Sequence, residues 1–85
     1  MNRTQSCATD VVRSALAHVA PDRADDLDDL DRSVDLWREL DLDSLDHVAV
    51  MELIADATGS DIAERDYPRL LSFDQLHDHV ERALR

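Results

Sequence analysis

An all-α fold follows from three features of the sequence. Turn formers are scarce: one Gly (Gly59) and two Pro (Pro21, Pro68) in 85 residues leave too few reversal points for a hairpin architecture. No stretch alternates apolar and polar residues as a half-buried strand does, whereas apolar residues recur at helical spacing in separate segments. Length sets the scale, because a chain of 85 residues forms one domain with a thin core. The expected architecture is a small bundle of three main helices plus a short one, with a long ordered loop between the first and second.

The first helix is expected from about Thr4, placed to N-cap it, to about Val19. Val11, Val12, Ala15, Leu16 and Val19 form one apolar stripe, and Pro21 follows just past the end. Residues 21–43 make the long connection. From Asp22 to Asp43 the chain carries ten acidic residues, half its total of 20, yet Leu27, Leu30, Val34, Leu36, Trp37, Leu40 and Leu42 punctuate the run. A disordered linker does not hold so many large apolar groups. An ordered loop laid over the core does, with a helical turn near residues 35–40 and Trp37 as its anchor.

The second helix is expected from Asp43/Ser44 to Gly59, where a C′ glycine ends it. A short helix or turn follows at about residues 64–70. Ser72 then opens the last helix as its N-cap, with Gln75 at the third helical position of a capping box. The apolar set of that helix is Phe73, Leu76, Val80 and Leu84.

Charge narrows the function. The formal net charge is −11, from 20 acidic and 9 basic residues. Such a field repels nucleic acid and anionic membrane surfaces and favours basic patches on partner proteins. One cysteine, Cys7, rules out an internal disulfide framework and suits a reducing compartment. Residues 1–6 show no apolar signal region, and no apolar run approaches membrane-spanning length. A soluble, cytoplasmic protein is expected.

On a wheel at 100° per residue, the second helix has two apolar flanks. Val50, Leu53, Ile54 and Ala57 share one arc suited to a core face. Leu45, Val48, Met51 and Ala55 lie on the other side, with Ser44. Met51 suits packing under the long loop as well as partner docking, whereas Leu45 and Val48 point to docking. Ser44 likewise has two uses. A serine at a helix start commonly caps it, and a hydroxyl at a helix N-terminus is also well placed to carry a phosphate, which the macrodipole and free amides favour.

The segment Asp35-Leu36-Trp37-Arg38-Glu39-Leu40-Asp41-Leu42-Asp43-Ser44-Leu45-Asp46-His47-Val48 resembles the phosphopantetheine-attachment segment of acyl carrier proteins. Chain length, helix order and the Ser72-Phe73-Asp74-Gln75-Leu76 start of the last helix are similar to that family too, so the resemblance runs from about Thr4 to Leu84. It implies a carrier rather than an enzyme. A phosphopantetheinyl transferase would join the 4′-phosphopantetheine of coenzyme A to Ser44 as a phosphodiester, and the thiol of that arm would hold acyl groups as thioesters. Asp43 and Leu45 match the neighbours the transferase reads, and Asp46, Val48, Met51, Glu52 and Asp56 match the recognition surface for acyl-loading and acyl-processing enzymes. A monomer is expected, and the space between the second and last helices is a candidate shelter for the acyl chain.

Two positions depart from the family pattern. Asp41 stands where a glycine is usual, so it must take up that glycine's backbone conformation, which Asp tolerates better than most residues. Ala49 and Ala55 replace frequent acids, which shifts partner contact towards apolar groups. A dedicated carrier of polyketide or specialised lipid synthesis thus fits at least as well as one of fatty-acid synthesis. The peptidyl-carrier branch, with its Gly-Gly-His-Ser-like motif, is not matched. The alternative from another class is an acidic helical interaction module without a prosthetic group.

Other constellations are weaker. Ser44 and His47 stand at i, i+3, but no strained elbow, oxyanion hole or orienting third group accompanies them. His77 and His79 diverge on one helix and lack cysteine partners, so they are expected at the surface or half-buried. The acidic run of residues 25–31 lacks the glycine and closing Glu of a calcium loop. Cys7 is expected to be a small packing residue.

Overall fold

The computed structural model describes residues 3–84. Every regular element among them is helical: α1 (Arg3–Val19), the 3-10 helix η1 (Pro21–Asp28), α2 (Leu36–Glu39), α3 (Ser44–Thr58), the 3-10 helix η2 (Glu64–Arg69) and α4 (Phe73–Ala83). α1 already includes Arg3, so Thr4 stands inside the helix and not at its N-cap. Nothing in Thr4-Gln5-Ser6 breaks a helix, so the backbone runs through.

The core is built by α1, α3 and α4, with the long connection closing it. Ala8, Val12, Ala15 and Leu16 of α1, Val50, Met51 and Ile54 of α3, and Phe73, Leu76 and Val80 of α4 form one buried cluster with Leu27, Leu36, Trp37, Leu40 and Leu70. α1 packs against both α3 and α4. Leu84 lies partly buried against the cluster, which completes the apolar row of α4.

The connection between α1 and α3 is ordered and partly helical. Pro21 begins η1, where its missing N–H costs nothing, and Leu27 reaches the core. η1 itself was not foreseen from the sequence, because consecutive acids give no helical apolar stripe. α2 is the expected turn, N-capped by the Asp35 carboxylate, which accepts from the backbone N–H of Trp37 and Arg38. Two bonds tie the connection to the strap before α4, and a third ties it to α4 itself. The Leu36 N–H donates to the Leu71 carbonyl (2.8 Å), the Trp37 indole N–H donates to the Leu70 carbonyl (3.2 Å), and the Asp74 N–H donates to the Arg32 carbonyl (3.0 Å). Arg32 adds an ion pair to Asp74 at 3.2 Å and covers the Phe73 ring.

A left-handed residue ends α2 and aims the chain into α3. Asp41 has φ 53°, among the described residues the one non-glycine at positive φ. The Asp41 N–H donates to the Arg38 carbonyl (3.2 Å) and the Leu42 N–H to the Trp37 carbonyl (2.8 Å), the two bonds of a Schellman ending. Asp41 thus holds a left-handed conformation that glycine adopts most readily. Gly59, at φ 70°, ends α3 in the same way.

Two expectations are corrected here. Cys7 is exposed and is not a packing residue, because Ala8 and Val12 take the buried side of α1. Met51 is 1 % exposed and belongs to the core, not to a partner surface. Val50, Met51 and Ile54 are buried, while Leu53 is half-buried and Ala57 exposed. The buried arc is thus turned about 60° towards Met51 from the arc the wheel favours, because the Leu36–Trp37–Leu40 layer covers that side of α3.

Candidate functional site

The site begins at the junction of the loop and α3. Asp43, in extended conformation, is the N-cap: its carboxylate accepts from the Asp46 N–H at 2.9 Å, and the Asp46 carboxylate accepts from the Asp43 N–H at 3.3 Å. This reciprocal capping box leaves Ser44 one residue inside the helix. Ser44 is exposed, and among the described residues its hydroxyl has no protein partner. The capping use of Ser44 is therefore excluded by geometry, since its neighbour already does that work.

The candidate surface residues separate into three groups. Leu45 is 79 % exposed, among the described residues the one large apolar side chain so placed. Glu52 and Asp56 are exposed further along α3, and Asp46 and Val48 are half-buried near its start. Met51, as noted, faces inward. A docking surface on α3 would thus consist of Leu45 and Val48 with Asp46, Glu52 and Asp56, without Met51.

Beside Ser44 runs an open groove of about 550 Å³, lined by Ser44, His47, Val48, Glu64, Tyr67, Pro68 and Leu71. α3 supplies one wall, and η2 with the strap before α4 supplies the other. A second open groove of about 410 Å³ lies between α1 and α3, with Val11, Ala15, Leu53 and Ala57 in its lining. Met51 and Ile54 of α3 and Phe73 and Leu76 of α4 belong to the buried core cluster, and these two grooves border α3 on its η2 and α1 sides.

His47, weighed in the sequence only as a catalytic partner of Ser44, lines this groove. Its imidazole stacks on the Trp37 indole at 4.0 Å between centroids, with Tyr67 on a second side at 5.1 Å. Nε2 is buried and meets no hydrogen-bond partner. Burial holds the imidazole below its usual pKa, and the Asp35 carboxylate opposes that shift. For Tyr67, burial first and then Glu64 and Glu52 push the phenol upward. The i, i+3 spacing to Ser44 was legible; the ring contacts were not, because they depend on how α2 and η2 fold onto α3.

No hydrogen bond among the described residues links Ser44 to His47, and none orients the imidazole. On α4, His77 is buried, a correction to the surface or half-buried placement. Its Nδ1 lies 3.8 Å from Asp78 and 3.9 Å from Glu81, because it falls one residue after Leu76 on the inward side. His79 is half-buried with a covered Nε2. Among the described residues no group of three His, Cys, Asp or Glu could hold a metal ion, and no helix is long and apolar enough to cross a membrane.

Comparison of the chain with protein-family models, curated proteins and solved structures gives no match.

Proposed function

We propose that the chain is an acyl carrier protein that bears 4′-phosphopantetheine on Ser44 and works in the cytoplasm with acyl-loading and acyl-processing enzymes. One observation carries this reading: Ser44 is an exposed, unpartnered hydroxyl at a helix start already capped by Asp43 and Asp46. A structural serine would be bonded, and this one is left available.

The surroundings suit the group. Among the described residues the N–H groups of Ser44 and Leu45 have no acceptor, and they sit at the positive end of the α3 dipole, where a phosphodiester is favoured. The Asp43 and Asp46 carboxylates lie close by, but backbone N–H groups engage them. When bound, the arm supplies a thiol that holds acyl groups as thioesters. The protein supplies a fixed attachment point, an exposed apolar contact at Leu45 for the transferase, and a mostly apolar groove alongside. Partners with basic patches would meet Glu52 and Asp56 through charge and Val48 through apolar contact. Polyketide or specialised lipid synthesis fits the weakly acidic α3 at least as well as fatty-acid synthesis.

The test is the intact mass after incubation with coenzyme A and a promiscuous phosphopantetheinyl transferase. A gain of one phosphopantetheinyl group in the parent, and none in Ser44→Ala, is expected. A folded parent that gains nothing would replace this reading with the acidic interaction module, for which the charge of −11 is the supporting feature.

A further inference from the structure

The carrier reading makes no use of His47, and the arrangement around it is specific. One face of the imidazole is covered by Trp37, whose indole is itself in the core and bonded to the Leu70 carbonyl at 3.2 Å. The other neighbour, Tyr67, packs partly buried against the core cluster, and its ring is held there by packing alone. It is half-buried, sits beside Pro68 on a 3-10 helix with no side-chain cap bond, and no hydrogen bond holds its hydroxyl among the described residues. Tyr67 and His47 are both walls of the groove that reaches Ser44.

We infer that Tyr67 is a proton-operated gate on the groove beside Ser44, closed over His47 while the imidazole is neutral and swung away once the imidazole is protonated. A neutral imidazole tolerates contact with two aromatic rings, one stacked and one tilted. An imidazolium carries N–H donors on both nitrogens, and the covered Nε2 has no acceptor within the closed arrangement. Opening at Tyr67 lets water reach that nitrogen while Trp37 keeps its face of the ring covered and attracts the cation.

The charged groups around the ring cluster act in the same sense. From α2 the Asp35 carboxylate favours the imidazolium, and from η2 Glu64 lines the groove. On α3, Asp43 and Asp46 are engaged in the capping box and Glu52 is exposed. The Tyr67 phenol stays neutral through the range in which His47 titrates, since its pKa is raised. Acceptors for the new charge thus lie around the groove's edge, and none lies inside the stack. Burial lowers the imidazole pKa in the closed form, as a gate held shut at neutral pH requires. The inference does not depend on what Ser44 carries, although any group attached there would meet a wider groove at lower pH.

The experiment is a side-chain NMR titration of the unmodified protein from pH 8 to 5, which resolves His47 from His18, His77 and His79. The imidazole of His47 is expected to titrate below about 6.5, the unperturbed value. Cross-relaxation between the Tyr67 and His47 rings should vanish with the same midpoint, while that between Trp37 and His47 persists. Tyr67→Ala should bring the His47 midpoint up towards the unperturbed value, Tyr67→Phe should keep it low, and His47→Gln should leave the Tyr67 ring signals independent of pH. Persistence of the Tyr67–His47 contact through complete protonation would overturn the gate. So would a His47 midpoint at or above the unperturbed value in the parent.

Discussion

Two helix starts in this molecule carry the same device with different residues. At α4 the N-cap is Ser72, buried, whose hydroxyl accepts from the Gln75 N–H at 3.2 Å while the Gln75 side chain accepts from the Ser72 N–H at 3.1 Å. At α3 the N-cap is Asp43, and the serine sits one position later, exposed and unbonded. A shift of one residue turns a serine from a structural member of the helix into an available hydroxyl. Where a carboxylate takes the cap, the serine is free for chemistry.

The largest expected effects come from breaking that contrast. Ser72→Ala removes a buried cap and should cost about 1–2 kcal/mol in denaturant unfolding. Ser44→Ala should change stability by less than about 0.5 kcal/mol. Equal losses in the two variants would mean that Ser44 also holds its helix, and the availability argument would fail.

The two left-handed positions sharpen the comparison next. Nothing lies within 4 Å of a Cβ built on Gly59, so Gly59→Ala meets only backbone strain at φ 70° and should cost about 1 kcal/mol. Asp41→Gly relieves the corresponding strain at φ 53° but loosens the unfolded chain, so it should lie within about 0.5 kcal/mol of the parent. A large loss in Asp41→Gly would show that the Asp41 side chain, and not its backbone, directs the loop into α3.

Smaller effects follow from charge and surface. The His47 pKa is lowered in the fold, so its contribution to stability is fully present above the unfolded value of about 6.5 and lost as pH falls through the folded value. Stability should therefore drop on acidification through that window, and the drop should shrink in His47→Gln. The acidic stretch from Asp22 to Asp31 places like charges together, and its repulsion should be screened by sodium chloride, raising the melting temperature. A flat or falling melting temperature would show that the stretch is already compensated in the fold. Val48→Arg should leave helical content intact and weaken partner turnover, since Val48 is half-buried at the groove and outside the core cluster.

Sequence showed most of the scaffold and part of the site. Ser72, Gln75 and Gly59 mark their helix boundaries locally, so α4 and the end of α3 were readable from a few residues. The anchoring of Trp37 was readable because no other group in the loop is so large. Met51 was left between packing under the loop and partner docking, because a single-face wheel cannot represent a helix covered on two sides, here by the bundle and by the loop. η1 was hidden in a run of acids, and His77 was misplaced because a polar side chain was not weighed against its place beside Phe73, Leu76 and Val80 on the inward side of α4. The cluster of Trp37, His47 and Tyr67 draws on three elements, α2, α3 and η2, and its geometry depends on how they fold together rather than on a local pattern.

The most direct test of the central claim locates the modification by tandem mass spectrometry after transferase treatment of the parent, Ser44→Ala and Ser72→Ala. The account predicts one phosphopantetheinyl group on Ser44 in the parent and in Ser72→Ala, and none in Ser44→Ala. A group found at another residue, or none on a parent whose helical spectrum shows it folded, would contradict it.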